Sequence, residues 1–171
     1  MKVFIAVPSM DNLPALFCQS LALLQRAGDT LVGFEVGSLV YMARNNLARQ
    51  AIKAEADWVL WLDSDMIFTE DILDDLLFAG KSFVSAIYHG RRAPHVSCLF
   101  TKIYPEVERF EDYPNELFEV AGCGMACVLI KTEILLDVMK HFGTCFCPEK
   151  DLGEDLAFCN RARYLNYHIF A

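Results

Sequence analysis

Long apolar runs are missing from this chain. None of its 171 residues falls in a stretch that reaches the ~18 consecutive apolar positions of a membrane-spanning helix. The N-terminus, Met1-Lys2-Val3-Phe4-Ile5-Ala6-Val7-Pro8, carries one Lys and a short apolar run, too short for a signal peptide and suited to a first strand. Basic residues are the minority: 15 Lys and Arg stand against 23 Asp and Glu, a net charge of −8. A duplex-binding protein shows the reverse sign, so nucleic acid is excluded as the expected partner. A nucleotide is not, because a local Arg and a metal can hold phosphates. Internal repeats, low-complexity tracts and linkers are also missing, which points to one domain over residues 1–171.

The seven cysteines, at 18, 98, 123, 127, 145, 147 and 159, are odd in number and scattered through apolar segments. That argues against a disulfide framework and for reduced, mostly buried thiols in a cytoplasmic protein. Cys123-x-x-x-Cys127 and Cys145-x-Cys147 are poorly spaced for zinc.

Apolar residues make up 54% of the chain. A buried central sheet in an α/β domain accounts for this without a membrane. Residues 2–7 read as a strand. Pro14 suits the first turn of a helix running to about Ala27, with Gly28 as its stop. Thr30–Val36 reads as a strand, and Val40–Glu55 as a helix with Met42, Leu47, Ala51 and Ile52 near helical spacing. The run Ala56 to Leu62, with two Trp, reads as a buried strand. Thr69 is expected to cap a short helix with Glu70 and Asp71 in its first turn. Ser82–Tyr88 reads as the next strand. This β-α alternation predicts a parallel sheet. After it the pattern is mixed. His95–Thr101, Leu117–Ala121 and Met125–Lys131 read as strands, and Lys102–Asn115 as a loop. Thr132 is expected to cap a helix that ends before Gly143. Glu154–Leu165 reads as a helix stopped by Asn166, and Tyr167–Ala171 as a last strand.

Several groupings can carry chemistry. Asp63-Ser64-Asp65 ends the Trp-rich strand, at the lip of the sheet where open α/β proteins bind ligands. If the chain stays extended there, both carboxylates face one spot, and a hard divalent cation relieves their repulsion. A polar turn is the alternative. Gly153-Glu154-Asp155 is either a catalytic acid pair or a dipole-favourable helix start. Arg44-Asn45-Asn46 is either a solvent face or an Arg that holds a diphosphate. Gly122-Cys123-Gly124 permits close approach of a ligand or a tight turn; no base is evident for a nucleophilic Cys123. His89-Gly90-Arg91-Arg92 with His95 is either a phosphate contact or a solvated loop.

Taken in order, five segments resemble one family. They are Val3–Ser9, Ala43-Arg44-Asn45-Asn46-Leu47-Ala48, Asp57–Met66, Val120–Lys131 and Gly153–Ala162. They are similar to the nucleotide-diphospho-sugar glycosyltransferases of the GT-A fold, particularly small bacterial and phage-type, glycosyltransferase family 2-like members. The resemblance implies an α/β, Rossmann-like single domain with a mostly parallel central sheet and a mixed C-terminal half. Residues 1–90 would be the nucleotide-binding half and 91–171 the acceptor and catalytic half. It implies a metal-dependent hexosyltransferase moving a sugar from a UDP- or GDP-linked donor to a hydroxyl of a glycan, lipid or protein.

Pro8 and Ser9 would line the nucleoside pocket, and Arg44 and Asn45 would approach the nucleotide. Asp63 would hold the ribose or the metal's water shell, with Ser64 beside it. Asp65 would ligate Mn²⁺ or Mg²⁺. Gly122 and Gly124 would border the sugar and acceptor. Asp155, with Glu154 adjacent, would be the base. Relatives usually continue past the last strand and supply a His to the metal; here the sequence ends at Ala171, and His168 is a poor substitute. Two other functions compete. One is a catalytically degenerate nucleotide-sugar-binding or interaction protein. The other is an aspartate-nucleophile phosphohydrolase, disfavoured because its Asp-x-Asp belongs to a first strand.

Overall fold

Eight residues from Lys2 to Ser9 form β1, and seven of them are buried. A strand buried on both faces belongs inside a sheet rather than at its edge, and β1 has a strand on either side in a computed structural model that describes residues 1–26, 28–37 and 39–171. The elements follow as α1 (Ala15–Leu23), β2 (Asp29–Val36), α2 (Val40–Lys53), β3 (Trp58–Leu62), α3 (Ile72–Phe78) and β4 (Phe83–Ser85). Then come β5 (Leu99–Lys102), β6 (Glu108–Arg109), β7 (Glu119–Val120), β8 (Gly122–Cys123), β9 (Cys127–Lys131), α4 (Thr132–Phe142), α5 (Glu154–Tyr164) and β10 (Ile169–Phe170). The main sheet has the order β2-β1-β3-β9-β4-β10-β7, and β6-β5-β8 form a small second sheet. β2, β1, β3, β4 and β10 share one direction, while β9 and β7 run against it.

Alternation along the strands fills two cores. Val3, Ile5, Val7, Leu60 and Leu62 face α1 and α3, which contribute Phe17, Leu73 and Leu76. Phe4, Ala6, Val59 and Trp61 face the other way, toward Leu47 and Ala51 of α2, Ile134 and Val138 of α4, and Phe158 and Ala162 of α5. Period-2 side chains on the strands and one apolar stripe per helix therefore give three layers. Among the described residues, no helix is long and apolar enough to cross a membrane.

Several boundaries differ from the sequence reading. α1 stops at Leu23; the expected end at Ala27 lies outside the described residues. Thr69 does not cap α3. Asp71 holds the cap position without a side-chain cap bond, and the first-turn acids are Asp74 and Asp75. Thr132 is the first residue of α4 rather than its cap. The expected 82–88 strand is cut to Phe83–Ser85, with the Ala86 amide making a last bond to the Cys127 carbonyl of β9 at 3.0 Å. The expected strand at His95–Thr101 is displaced to Leu99–Lys102 and joins the second sheet, where β6 pairs inside the expected loop. Helix stops were better signalled. Gly143 (φ 79°) and Asn166 (φ 64°) both take the left-handed conformation that ends a helix.

Candidate active site

The carboxyl ends of β1 and β3 open into a cavity of about 210 Å³. Pro8 and Ser9 line it from the end of β1 and Met10 from just past it, Val40 and Ala43 from the start of α2, Asp63, Ser64 and Asp65 from the turn after β3, and Arg91 from the loop after β4. This is the sheet edge at which open α/β folds bind ligands. Pro8 and Ser9 stay paired with Glu35 and Val36 of β2, so a rigid strand positions that wall.

Asp63 and Asp65 are not presented as an extended pair. β3 ends at Leu62, and the Met66 amide donates to the Asp63 carbonyl at 3.1 Å, closing a turn. The Asp63 amide is held by the Ala126 carbonyl at 2.9 Å. Each carboxylate therefore meets a different cation. Asp65 Oδ2 lies 2.7 Å from Arg91 Nε, an arginine whose side chain is 83% exposed. Asp63 accepts from Arg44 Nη2 at 3.0 and 3.2 Å.

Arg44 is not on a solvent face: only 3% of it is exposed. Its Nη1 donates to Glu154 Oε1 at 2.5 Å while Nη2 holds Asp63. One buried guanidinium thus ties the end of β3 to the start of α5. Burial opposes its charge, yet Asp63, Glu154 and Asp155 outweigh that and keep its pKa above the ordinary value. Its Nε is buried without a hydrogen-bond partner among the described residues.

Asn45 likewise turns inward. Its amide donates to the carbonyls of Tyr41 and Phe146. Its Oδ1 accepts from Thr144 Oγ1 (3.0 Å), the Cys145 amide (3.2 Å) and the Phe146 amide (3.0 Å). No donor remains on that amide for a ligand. Arg161 grips the same segment from α5, donating to the carbonyls of Cys145 and Cys147, both at 3.0 Å. The chain entering α5 is therefore clamped from both sides.

Asp155 lies in the first turn of α5, half-buried, with Oδ1 accepting from the Leu156 amide at 2.8 Å. Burial pushes its carboxyl above the usual range, Arg44 works against this, and Glu154 adds to it. Gly124 sits against it. A Cβ at Gly124 would lie 2.6 Å from Tyr88 Oη and 3.7 Å from Asp155 Oδ2. Tyr88 is fixed there by the Ala126 amide, which donates to its hydroxyl at 3.0 Å, and burial raises its pKa. Gly122 is close-packed for a different reason: a Cβ would meet Ile103 and Leu156, each at 3.1 Å. Cys123 is fully buried and pairs with Cys159, whose thiol is 3.5 Å from both the Cys123 amide and its carbonyl. The hydrogen bond between the two thiols, with burial, holds the Cys123 thiol well above its ordinary pKa. Cys127 faces the opposite core, and burial, with Asp63 nearby, raises it to about 12.

His168 is distant in role. It precedes β10 and bonds Glu119 at 2.9 Å, in a hollow with Lys81 and Tyr167. Arg91 was the residue underweighted in the sequence; its only signal was the basic run after a strand.

No protein-family model and no curated protein sequence matches the chain. Solved structures do. "A197 from STIV" is similar at TM-score 0.73 and 18% identity, over 99% of this chain and 80% of that one. "S. aureus TarS 1-349 in complex with UDP-GlcNAc" is similar at TM-score 0.58 and 18% identity, over 99% of this chain and 58% of that one. The 2-C-methyl-D-erythritol 4-phosphate cytidylyltransferase from Thermus thermophilus is similar at TM-score 0.51 and 15% identity, over 96% of this chain and 84% of that one. The chain thus spans under two thirds of TarS 1-349. The likeness identifies the fold: a mixed α/β domain on a central, mostly parallel sheet, similar to GT-A glycosyltransferase structures.

Proposed function

We propose that this chain is a metal-assisted glycosyltransferase that takes a sugar from a nucleoside-diphosphate donor to an acceptor hydroxyl. The observation that carries this reading is the pairing of two sites across Arg44. On one side lies a cavity with Asp63, Ser64 and Asp65 on its wall; on the other is Asp155, a carboxyl with a raised pKa and no ion-pair partner among the described residues. The UDP-GlcNAc named with TarS supports a UDP-linked donor. Pro8 and Ser9 would receive the nucleoside, and residues 91–171 would supply the acceptor side.

The donor set suits Mn²⁺ or Mg²⁺. Carboxylate and hydroxyl oxygens are hard ligands. Among the described residues Asp65 has only the exposed Arg91 to displace as an ion-pair partner, while Asp63 is already paired with the buried Arg44. Among the described residues, no three His, Cys, Asp or Glu side chains gather at a metal position. A cation would take its remaining ligands from diphosphate and water, as Mg²⁺ commonly does. When bound, it would neutralise charge developing on the leaving diphosphate. Arg91 would add charge on the same side. Asp155, in an inverting reaction, would accept the acceptor's hydroxyl proton; a raised pKa brings a carboxylate closer to the operating pH, where a base works best. Glu154 would act through Arg44, fixing the start of α5.

Thermal shifts with UDP, GDP and CDP, with and without Mn²⁺, test the donor reading on the wild type and Asp65→Ala. A ligand specific to the native state at a hundredfold excess over Kd adds about 2.7 kcal/mol. The expected result is a Mn²⁺-dependent rise with one nucleotide that Asp65→Ala reduces at least tenfold in affinity. Absence of any metal-dependent rise overturns the reading. Asp155→Asn should abolish transfer and spare nucleotide binding; an active variant removes Asp155 as the base.

A further inference from the structure

A second cavity, of about 430 Å³, lies beyond the donor site. His89, His95, Arg109, Phe110, Glu111 and Tyr113 are among the residues that line it. The loop between His89 and Ser97, closed by an antiparallel bridge between those two residues, contributes to the lining of both cavities. Arg91 on that loop faces Asp65, whereas His89 and His95 face the second cavity.

Its side chains are held in place before any ligand arrives. Tyr113 Oη is 3.1 Å from His89 Nε2. The Tyr113 ring lies beside Phe110, with centroids 6.4 Å apart and planes at 26°, and Phe118 packs 5.1 Å from Phe110. Arg109 stacks on Phe100, 4.5 Å from the ring centre, and donates to the Ser97 carbonyl. His95 Nδ1 is 2.9 Å from the Gly90 carbonyl, which leaves Nε2 for a ligand. Glu111 is exposed. The lining offers aromatic rings, planar donors and a carboxylate, with Arg109 and Glu111 balancing in charge. A neutral ring with one apolar face and several hydroxyls matches it; a strongly charged ligand does not.

The wall of this cavity is joined by backbone hydrogen bonds to the wall beside Asp155. Ser97 lines it, and the next residue is Cys98, whose carbonyl accepts from the Gly124 amide at 2.9 Å and whose amide donates to the Tyr88 carbonyl at 3.2 Å. Gly124 and Tyr88 form the wall beside Asp155.

We infer that this cavity, formed by the 89–97 loop and the 107–113 segment, binds a neutral sugar ring of a glycan acceptor. Its acceptor role rests on the transferase reading; its sugar binding does not. Preorganised side chains lower the ordering cost of binding, so one ring can be held by this few residues.

A printed array of neutral and acidic glycans, probed with the full chain, tests the inference. Wild type, Tyr113→Ala and Glu111→Ala are compared, each checked for native folding by circular dichroism. The expected result is binding to neutral glycans, weakened at least tenfold by both substitutions. Glu111 is exposed, so its variant keeps the test valid if Tyr113→Ala misfolds. No glycan bound, preference for acidic glycans, or equal binding by Glu111→Ala overturns the inference. A parallel titration of wild type with UDP and Mn²⁺ separates the two readings. Glycan binding without UDP binding fells the donor reading alone, and UDP binding without glycan binding fells this one alone.

Discussion

Arg44 and Glu154, 110 positions apart in sequence, meet at 2.5 Å, and the same guanidinium holds Asp63 at 3.0 Å. The acids at the end of β3 and at the start of α5 are therefore one charge cluster with a shared cation. The side chains of Arg44, Asp63 and Glu154 are 4%, 29% and 17% exposed, so solvent screens this cluster poorly and each charge depends on the others.

Removing the cation strands two carboxylates. Arg44→Leu should destabilise the protein by about 3 kcal/mol, the low end for breaking a buried pair, because Asp63 keeps some water. Urea denaturation measures this. Arg44→Lys should recover only part of the loss, since one ammonium lacks the fork that reaches two acids. A leucine variant as stable as wild type would show that the cluster contributes nothing to folding.

The raised Asp155 carboxyl has a definite sign in stability. An unfolded chain ionises it near the ordinary 3.8, whereas the folded chain holds the proton to higher pH. Between those values the native state binds more protons, so this group's contribution falls as pH rises. It is fully present below 3.8 and lost once the folded carboxyl ionises. Asp155→Asn removes the cost of the buried charge. Its stability relative to wild type should be greatest at about pH 8, well above the ordinary carboxylate range, and shrink as the pH falls toward 3.8, read from urea midpoints across that range. A constant difference would show that burial does not perturb this carboxyl.

Gly124 tests how tightly the wall beside Asp155 is packed. Gly124→Ala brings a Cβ to 2.6 Å from Tyr88 Oη, an overpacking that costs about 1–3 kcal/mol. In a Tyr88→Phe background the hydroxyl is gone and the added cost should be smaller. The four stabilities form a cycle, and strict additivity would mean that Gly124 and Tyr88 do not contend for this space.

The alternation of β and α up to β4 was legible because both signals are local: apolar runs for strands, period 3.6 for helices. The insertion of β9 between β3 and β4 was not, since no property of Cys127–Lys131 names its neighbours. The place of Asp63, Ser64 and Asp65 on the wall of a cavity was legible because an apolar strand ends on them, yet their turn was hidden. Arg44 and Asn45 were hardest. A buried polar residue looks like a surface one until its partners are known. Those of Arg44 lie 19 and 110 positions away, and those of Asn45, apart from the Tyr41 carbonyl, about 100 away.

β9 has a consequence for synthesis. Residues 1–90 contain β1 to β4, but β3 and β4 pair with each other only through β9. As the ribosome delivers the chain, the newly made first half holds two strand edges with a missing rung between them. Residues 127–131 then have to enter that gap as a late, central strand. Until they do, the edges of β3 and β4 are open to pairing with another nascent chain.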